Sequence, residues 1–278
     1  MSPKKITVLE KLLSDGIFSD AEEAKKWVLL GRVLADDVRV MSAHEKIRPD
    51  AVLRVKELYK REFVGKGAFK LSAALSAFGV SVEGRVCFDC GASTGGFTDR
   101  LLASGASLVY AVDAGHGMLA GKLQQDARVV NLERTNLADE ALKRLSPPPT
   151  LATIDLSYLS LKDAYRHLCE ILTEDAEAIL LVKPIFETED REIRRSGKIN
   201  DRTALIAVWE DLIDFFSAQG VALMGIIPSP VRGNTGVVEF FLHLKRRGEG
   251  KTREQLLEEA SSAVEAALSL PEFHKENL

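Results

Sequence analysis

The run Asp89-Cys90-Gly91-Ala92-Ser93-Thr94-Gly95-Gly96-Phe97 joins an acid, spaced glycines and the start of an apolar helical pattern. Such a strand, tight turn and helix N-terminus lets the backbone come close to a ligand. Asp113 closes the next strand pattern, where a carboxylate can accept both hydroxyls of an adenosine ribose. A nicotinamide dinucleotide and S-adenosylmethionine share this geometry. The dinucleotide needs a glycine where Ser93 stands, and Asp89 would repel its pyrophosphate. The same acid suits the sulfonium and amino group of S-adenosylmethionine, the cofactor expected here.

Gly91-Ala92-Ser93-Thr94-Gly95 also spells the G-x-S-x-G of a hydrolase nucleophile elbow. Ser93 would then be the nucleophile, with Asp155 and His243 in the right chain order, although His243 also reads as a solvated strand position. Cys87 and Cys90 form a C-x-x-C inside one predicted strand, with no second cysteine pair to complete a zinc site; buried strand cysteines are the simpler reading. Asp155 and Lys183 each end a strand pattern. Their opposite charges converge on the carboxyl edge of an open α/β sheet, beside the glycine turn.

The elements that would hold these residues read as an α/β, doubly wound, Rossmann-like domain. Strands are predicted at Val86–Cys90, Leu108–Asp113, Arg128–Asn131, Leu151–Asp155, Ala178–Lys183, Ala222–Ile227 and Val237–Leu244, with helical patterns between most of them. The tail after Gly248 reads as a surface helix. Ahead of this domain, residues 1–60 read as a separate small α+β unit. It has two short helices punctuated by Gly16 and Gly31, then a hairpin turning at Asp36-Asp37. Residues 61–66 form a linker, and 67–278 the second domain.

The chain of 278 residues has net charge -4 and 46% hydrophobic residues, which excludes a globally cationic nucleic-acid coat and leaves room for a local basic face. Residues 1–60 hold 12 Lys+Arg and 10 Asp+Glu, so that unit is only slightly basic. Lys46 to Lys70, and Arg191, Arg194, Arg195 and Lys198 with Gly197 as a hinge, are the candidate contacts to a nucleic-acid backbone. Three cysteines suit a reducing, cytoplasmic compartment. No stretch reaches the about 20 apolar residues of a membrane span.

The chain resembles the TlyA-type proteins, often labelled haemolysins, over nearly its whole length. The resemblance rests on Asp89 to Asp99, Val109-Tyr110-Ala111-Val112-Asp113, Asp155-Leu156-Ser157-Tyr158, Leu181-Val182-Lys183-Pro184 and Gly236-Val237-Val238-Glu239. It implies a ribosomal-RNA 2′-O-ribose methyltransferase with an FtsJ-like seven-stranded domain and an N-terminal alpha-L, S-four-type, RNA-binding domain over residues 1–60. The family's Lys-Asp-Lys-Glu set falls on Lys70, Asp155, Lys183 and Glu239. Asp89, Gly91, Ala92, Ser93, Thr94, Gly95, Gly96, Phe97 and Asp113 would bind S-adenosylmethionine, with no metal. Ribosomal RNA or ribosomal subunits are the expected partners, cytidine the expected nucleoside, and Lys183 the group that accepts or steers the hydroxyl proton. Phe69, Tyr158 and Phe186 are candidates to stack a splayed nucleotide. A serine hydrolase and a non-catalytic RNA-binding or lytic protein stand as alternatives.

Overall fold

A computed structural model describes residues 5–15, 17–18, 20–29, 31–55, 63–197, 199, 201–233 and 236–270. The chain divides into two compact units between Glu62 and Phe63.

In the first unit β1 (Ile6–Thr7) leads directly into α1 (Val8–Ser14), followed by α2 (Ala21–Leu29). Thr7 caps α1 reciprocally: its Oγ1 accepts from Glu10 N, and Glu10 Oε2 accepts from Thr7 N. Strands β2 (Val33–Ala35) and β3 (Val38–Arg39) form the expected hairpin, its turn made by Asp36 and Asp37 at φ 48° and 65°. Next, β4 (Lys46–Ile47) pairs with β1, and β5 (Leu53–Val55) completes the sheet β3-β2-β5. Val8, Leu12, Trp27, Val33 and Val40 form its core. Gly31 follows α2 at φ 66°; Gly16 lies outside the described residues.

The second unit runs α3 (Lys66–Phe78), β6 (Val86–Cys90), α4 (Gly96–Ala103), β7 (Leu108–Asp113), α5 (Gly121–Gln124), β8 (Val129–Glu133), β9 (Leu151–Ile154), α6 (Leu161–Ile171), β10 (Glu177–Val182), α7 (Pro184–Glu187), α8 (Arg191–Ser196), α9 (Arg202–Ala218), β11 (Ala222–Pro228), β12 (Phe240–Lys245) and α10 (Arg253–Ser269). Its seven strands lie in the order β11-β12-β10-β9-β6-β7-β8. Neighbours from β10 to β8 are parallel, and β12 runs antiparallel to both β10 and β11. The chain passes from β6 to β7 and β8 on one side, then returns to β9 on the other. The carboxyl ends of β6 and β9 therefore flank the switch point where such sheets bind ligands.

Alternating strand residues feed two apolar layers. Phe88, Ile154, Leu180, Trp209 and Phe240 pack on one face, and Leu71, Cys87, Leu101, Val109 and Phe241 on the other. Cys87 and Cys90 fall into opposite layers, so they cannot hold one metal together. Burial pushes both thiols up, Cys87 to about 12.

β9, β10 and β11 shift by a single residue at one or both ends, and three elements differ more from the sequence reading. β8 starts at Val129 and runs to Glu133, where its pairing with β7 continues to Asp113. β12 starts only at Phe240, opposite Val182, where β10 ends. The helix after Gly248 is not merely superficial, since Leu256, Ala260, Ala263, Val264 and Ala267 of α10 enter the core.

Candidate active site

The turn after β6 is tied to the end of β7, with Gly91 N and Ala92 N both donating to Val112 O. Gly91 sits at φ 84°, and a Cβ there would stand 2.3 Å from the Asp155 carbonyl oxygen. Only glycine lets the ends of β6 and β9 approach this closely. A Cβ on Gly96 would lie 3.2 Å from Gly67 Cα, so the start of α3 seats directly on the turn.

This seating carries Lys70 inward. It is 9% exposed, and its ammonium donates to the carboxylate of Glu239, itself 4% exposed. Beside it, Lys183 Nζ lies 2.5 Å from Asp155 Oδ1 and donates to Ser157 Oγ at 2.8 Å. Burial pushes the Glu239 carboxyl up, against the pull of Lys70 and Lys183 and with repulsion from Asp155. Glu239 thus feels the other three charges. Glu239 arrives from just before β12, whose antiparallel direction brings a strand's start to the carboxyl edge.

A cavity of about 240 Å³ opens between the turn and these charges, lined by Gly67, Lys70, Gly91, Ser93, Phe97 and Asp155 among others. Ala92, Thr94 and Gly96 line it as well. Asp113 stands behind the turn, its Oδ2 accepting from Ser93 N at 2.8 Å and its Oδ1 from Gly115 N at 2.7 Å. A carboxylate has about four acceptor positions, so sites remain for ribose hydroxyls. Backbone amides, a rim carboxylate and a cavity smaller than a whole nucleoside donor fit the amino-acid and sulfonium end of S-adenosylmethionine.

Two residues expected at the donor are not among those lining this cavity. Asp89 is fully buried; its carboxylate accepts from Thr98 Oγ1 at 2.6 Å and Thr153 Oγ1 at 2.9 Å, and burial raises it to about 6. It braces β6 against β9 and α4 instead of facing the cavity. Gly95, at φ 96°, packs on Leu119 and Leu123. The hydrolase arrangement is overturned as well. Ser93, at φ 50°, follows the carboxyl end of β6, whereas His243 pairs with Ile179 near the opposite edge. His243 is also buried, not solvated, with Nε2 2.9 Å from Glu177 Oε2 and its ring 5.2 Å from that of Phe78.

Of the aromatic candidates, Tyr158 is 58% exposed, while Phe69 and Phe186 are half-buried. Arg191, Arg194 and Arg195 lie on α8, which Gly197 ends at φ 65°; Lys198 and residues 56–62 of the basic connector lie outside the described residues. Sequence reasoning missed Glu133, which accepts from Met118 N and Leu119 N and is held at about 2 by those amides. It also missed Glu187, a buried carboxylate one turn beyond Lys183; its place after Lys183-Pro184 was the available signal. Among the described residues, no helix is long and apolar enough to cross a membrane.

Residues 63–246 match the FtsJ-like methyltransferase family. YqxC of Bacillus subtilis, provisionally named an rRNA methyltransferase, is 38% identical over 93% of this chain and 92% of its own length. The 16S/23S rRNA (cytidine-2′-O)-methyltransferase TlyA of Mycobacterium tuberculosis is 33% identical over 92% of this chain and 96% of its own. A solved structure from Streptococcus thermophilus, provisionally named a hemolysin, superposes with a TM-score of 0.71 at 34% identity and covers 96% of both chains. The glycine turn at the switch point, the charges around it and these likenesses agree: the chain belongs to the FtsJ-like methyltransferase family.

Proposed function

We propose that this chain transfers the methyl group of S-adenosylmethionine to a ribose 2′-hydroxyl of ribosomal RNA, at a cytidine, within the cytoplasm. The observation that carries this reading is the meeting of Lys70, Asp155, Lys183 and Glu239 beside the Gly91–Gly96 turn. The name of the mycobacterial relative supports the acceptor and the nucleoside. Residues 1–60 would serve as the RNA-binding domain, 61–66 as its linker and 67–278 as the catalytic domain.

When bound, the sulfonium donor supplies an electrophilic methyl carbon. The residues of this chain do the remaining work. A ribose hydroxyl is a weak nucleophile until its proton is drawn away. Lys183, held between Asp155 and the Ser157 hydroxyl, is placed to fix the hydroxyl oxygen, and the Asp155–Lys183 pair takes up its proton. Lys70 neutralises buried Glu239, and that pair sets the inner wall against which Lys183 stands. Holding hydroxyl and methyl in line supplies much of the acceleration.

The decisive experiment incubates the full chain with methyl-labelled S-adenosylmethionine and purified ribosomal subunits, then digests the RNA to nucleosides. Label in 2′-O-methylcytidine is the expected result. Label on a base, or no heat of donor binding by calorimetry, would overturn the proposal.

A further inference from the structure

Glu187 closes α7 one helical turn after Lys183, a separation of about 6 Å along the axis. It is 6% exposed, and its two oxygens share one donor, Leu161 N, at 3.0 and 3.1 Å. No other hydrogen-bond donor reaches it among the described residues. The start of α6 does not depend on it alone, because Ser160 Oγ already accepts from Asp163 N. A buried carboxylate with one shared amide is short of donors, an expensive state unless something else supplies them. Lys162 is nearby but engaged by Asp211, and Asp163 and Asp211 add repulsion. Burial accordingly lifts the Glu187 carboxyl to about 7.

The missing donor has a place from which to come. Glu187 lines a cavity of about 650 Å³ together with Tyr158, Ser160, Arg166, Phe186 and Arg194. That volume suits a nucleotide-sized ligand. Tyr158, one of its lining residues, directly follows Ser157, whose hydroxyl holds Lys183. A ribose presented to Lys183 therefore has its base within reach of this cavity.

We infer that Glu187 is a specificity-determining residue, its carboxylate accepting a hydrogen bond from the exocyclic amino group of the acceptor base. This inference rests on the methyltransferase reading above and extends it to the nucleobase. An ionised carboxylate accepts well from the cytosine amine, and the carbonyl of uracil at the same place repels it.

The chemistry predicts a reversal. In Glu187→Gln the Leu161 N–H still demands an acceptor, which pins the amide oxygen there and turns the NH₂ group to the cavity. That group repels an amine and suits a carbonyl. The test titrates cytidine 5′-monophosphate and uridine 5′-monophosphate, well above pH 7 where the Glu187 carboxyl is ionised, against the full chain saturated with S-adenosylhomocysteine, for wild type, Glu187→Gln and Glu187→Ala. Wild type is expected to prefer the cytidine nucleotide by about tenfold, Glu187→Gln to prefer the uridine nucleotide, and Glu187→Ala to show little preference. Thermal melting of each variant identifies any that fails to fold, and the remaining variants then decide. Equal preference in wild type and the folded variants, or binding of neither nucleotide at millimolar concentration, overturns the inference. Base preference without transfer to ribosomal RNA would sink the methyltransferase reading and leave the pocket standing. Transfer without dependence on Glu187 would do the reverse.

Discussion

The two edges of the central sheet carry the same residue types to opposite ends. At the amino edge Glu177 receives Arg85 at 3.0 Å, His243 at 2.9 Å and Lys245 at 3.6 Å. Donors outnumber the carboxylate, and His243 with Arg85 and Lys245 holds it down at about 2. At the carboxyl edge Glu239 and Glu187 are pushed up, because burial there exceeds what their partners return. A cavity of about 710 Å³ opens at the amino edge, larger than that beside the glycine turn, yet Arg85, Lys245 and Lys251 in its wall are engaged by Glu177 and Glu259. Surplus donors mark a clasp that joins the starts of parallel strands to the end of β12, and a deficit marks a place where something else is meant to bind.

The comparison breaks most readily at Lys183. Lys183→Ala is expected to slow methyl transfer by about 10²–10⁴-fold while donor affinity measured by calorimetry stays unchanged. Transfer at the wild-type rate would put the carboxyl-edge cluster in the same structural class as the other edge. Next in size, Gly91→Ala forces a side chain against the Asp155 carbonyl at positive φ, with an expected loss of about 3 kcal/mol in urea unfolding. A neutral outcome would mean that the two strand ends are not held as close as described.

The remaining pair sharpens the contrast through pH. Glu177→Gln removes the hub of the amino-edge clasp and is expected to cost about 2–3 kcal/mol at pH 7 without altering transfer kinetics. Since the folded carboxyl lies at about 2, below its ordinary 4.5, its stabilisation is present above pH 4.5 and fades as pH falls toward 2. Glu187 has the opposite slope. Its folded carboxyl is raised to about 7, so its contribution is complete below pH 4.5 and is lost as pH rises through 7. Glu187→Gln should therefore gain on wild type by about 1–3 kcal/mol above pH 7. Parallel pH profiles for the two variants would erase the distinction drawn between the edges.

Much of the second unit was legible because strand alternation and turn chemistry are local. β6 and β7 match their predicted limits, and Asp155 and Lys183 stand just past β9 and β10 as their position after apolar runs requires. Lys70 and Glu239 were legible only through family resemblance. They meet across 169 positions of chain, and nothing local to α3 or to the start of β12 announces that contact. Asp89 misled because an acid at a strand end reads alike whether it faces a ligand or two buried threonine hydroxyls. Glu187 escaped notice because its defining property, a shortage of donors, exists only once α6 and α7 have packed.

The antiparallel insertion of β12 between β10 and β11 sets a timetable for the chain as it is made. Lys70, the glycine turn, Asp155 and Lys183 all leave the ribosome before Glu239, so in a nascent chain Lys70 still lacks its counter-charge. The last strand to enter the sheet thus also brings the carboxylate that completes the charge cluster.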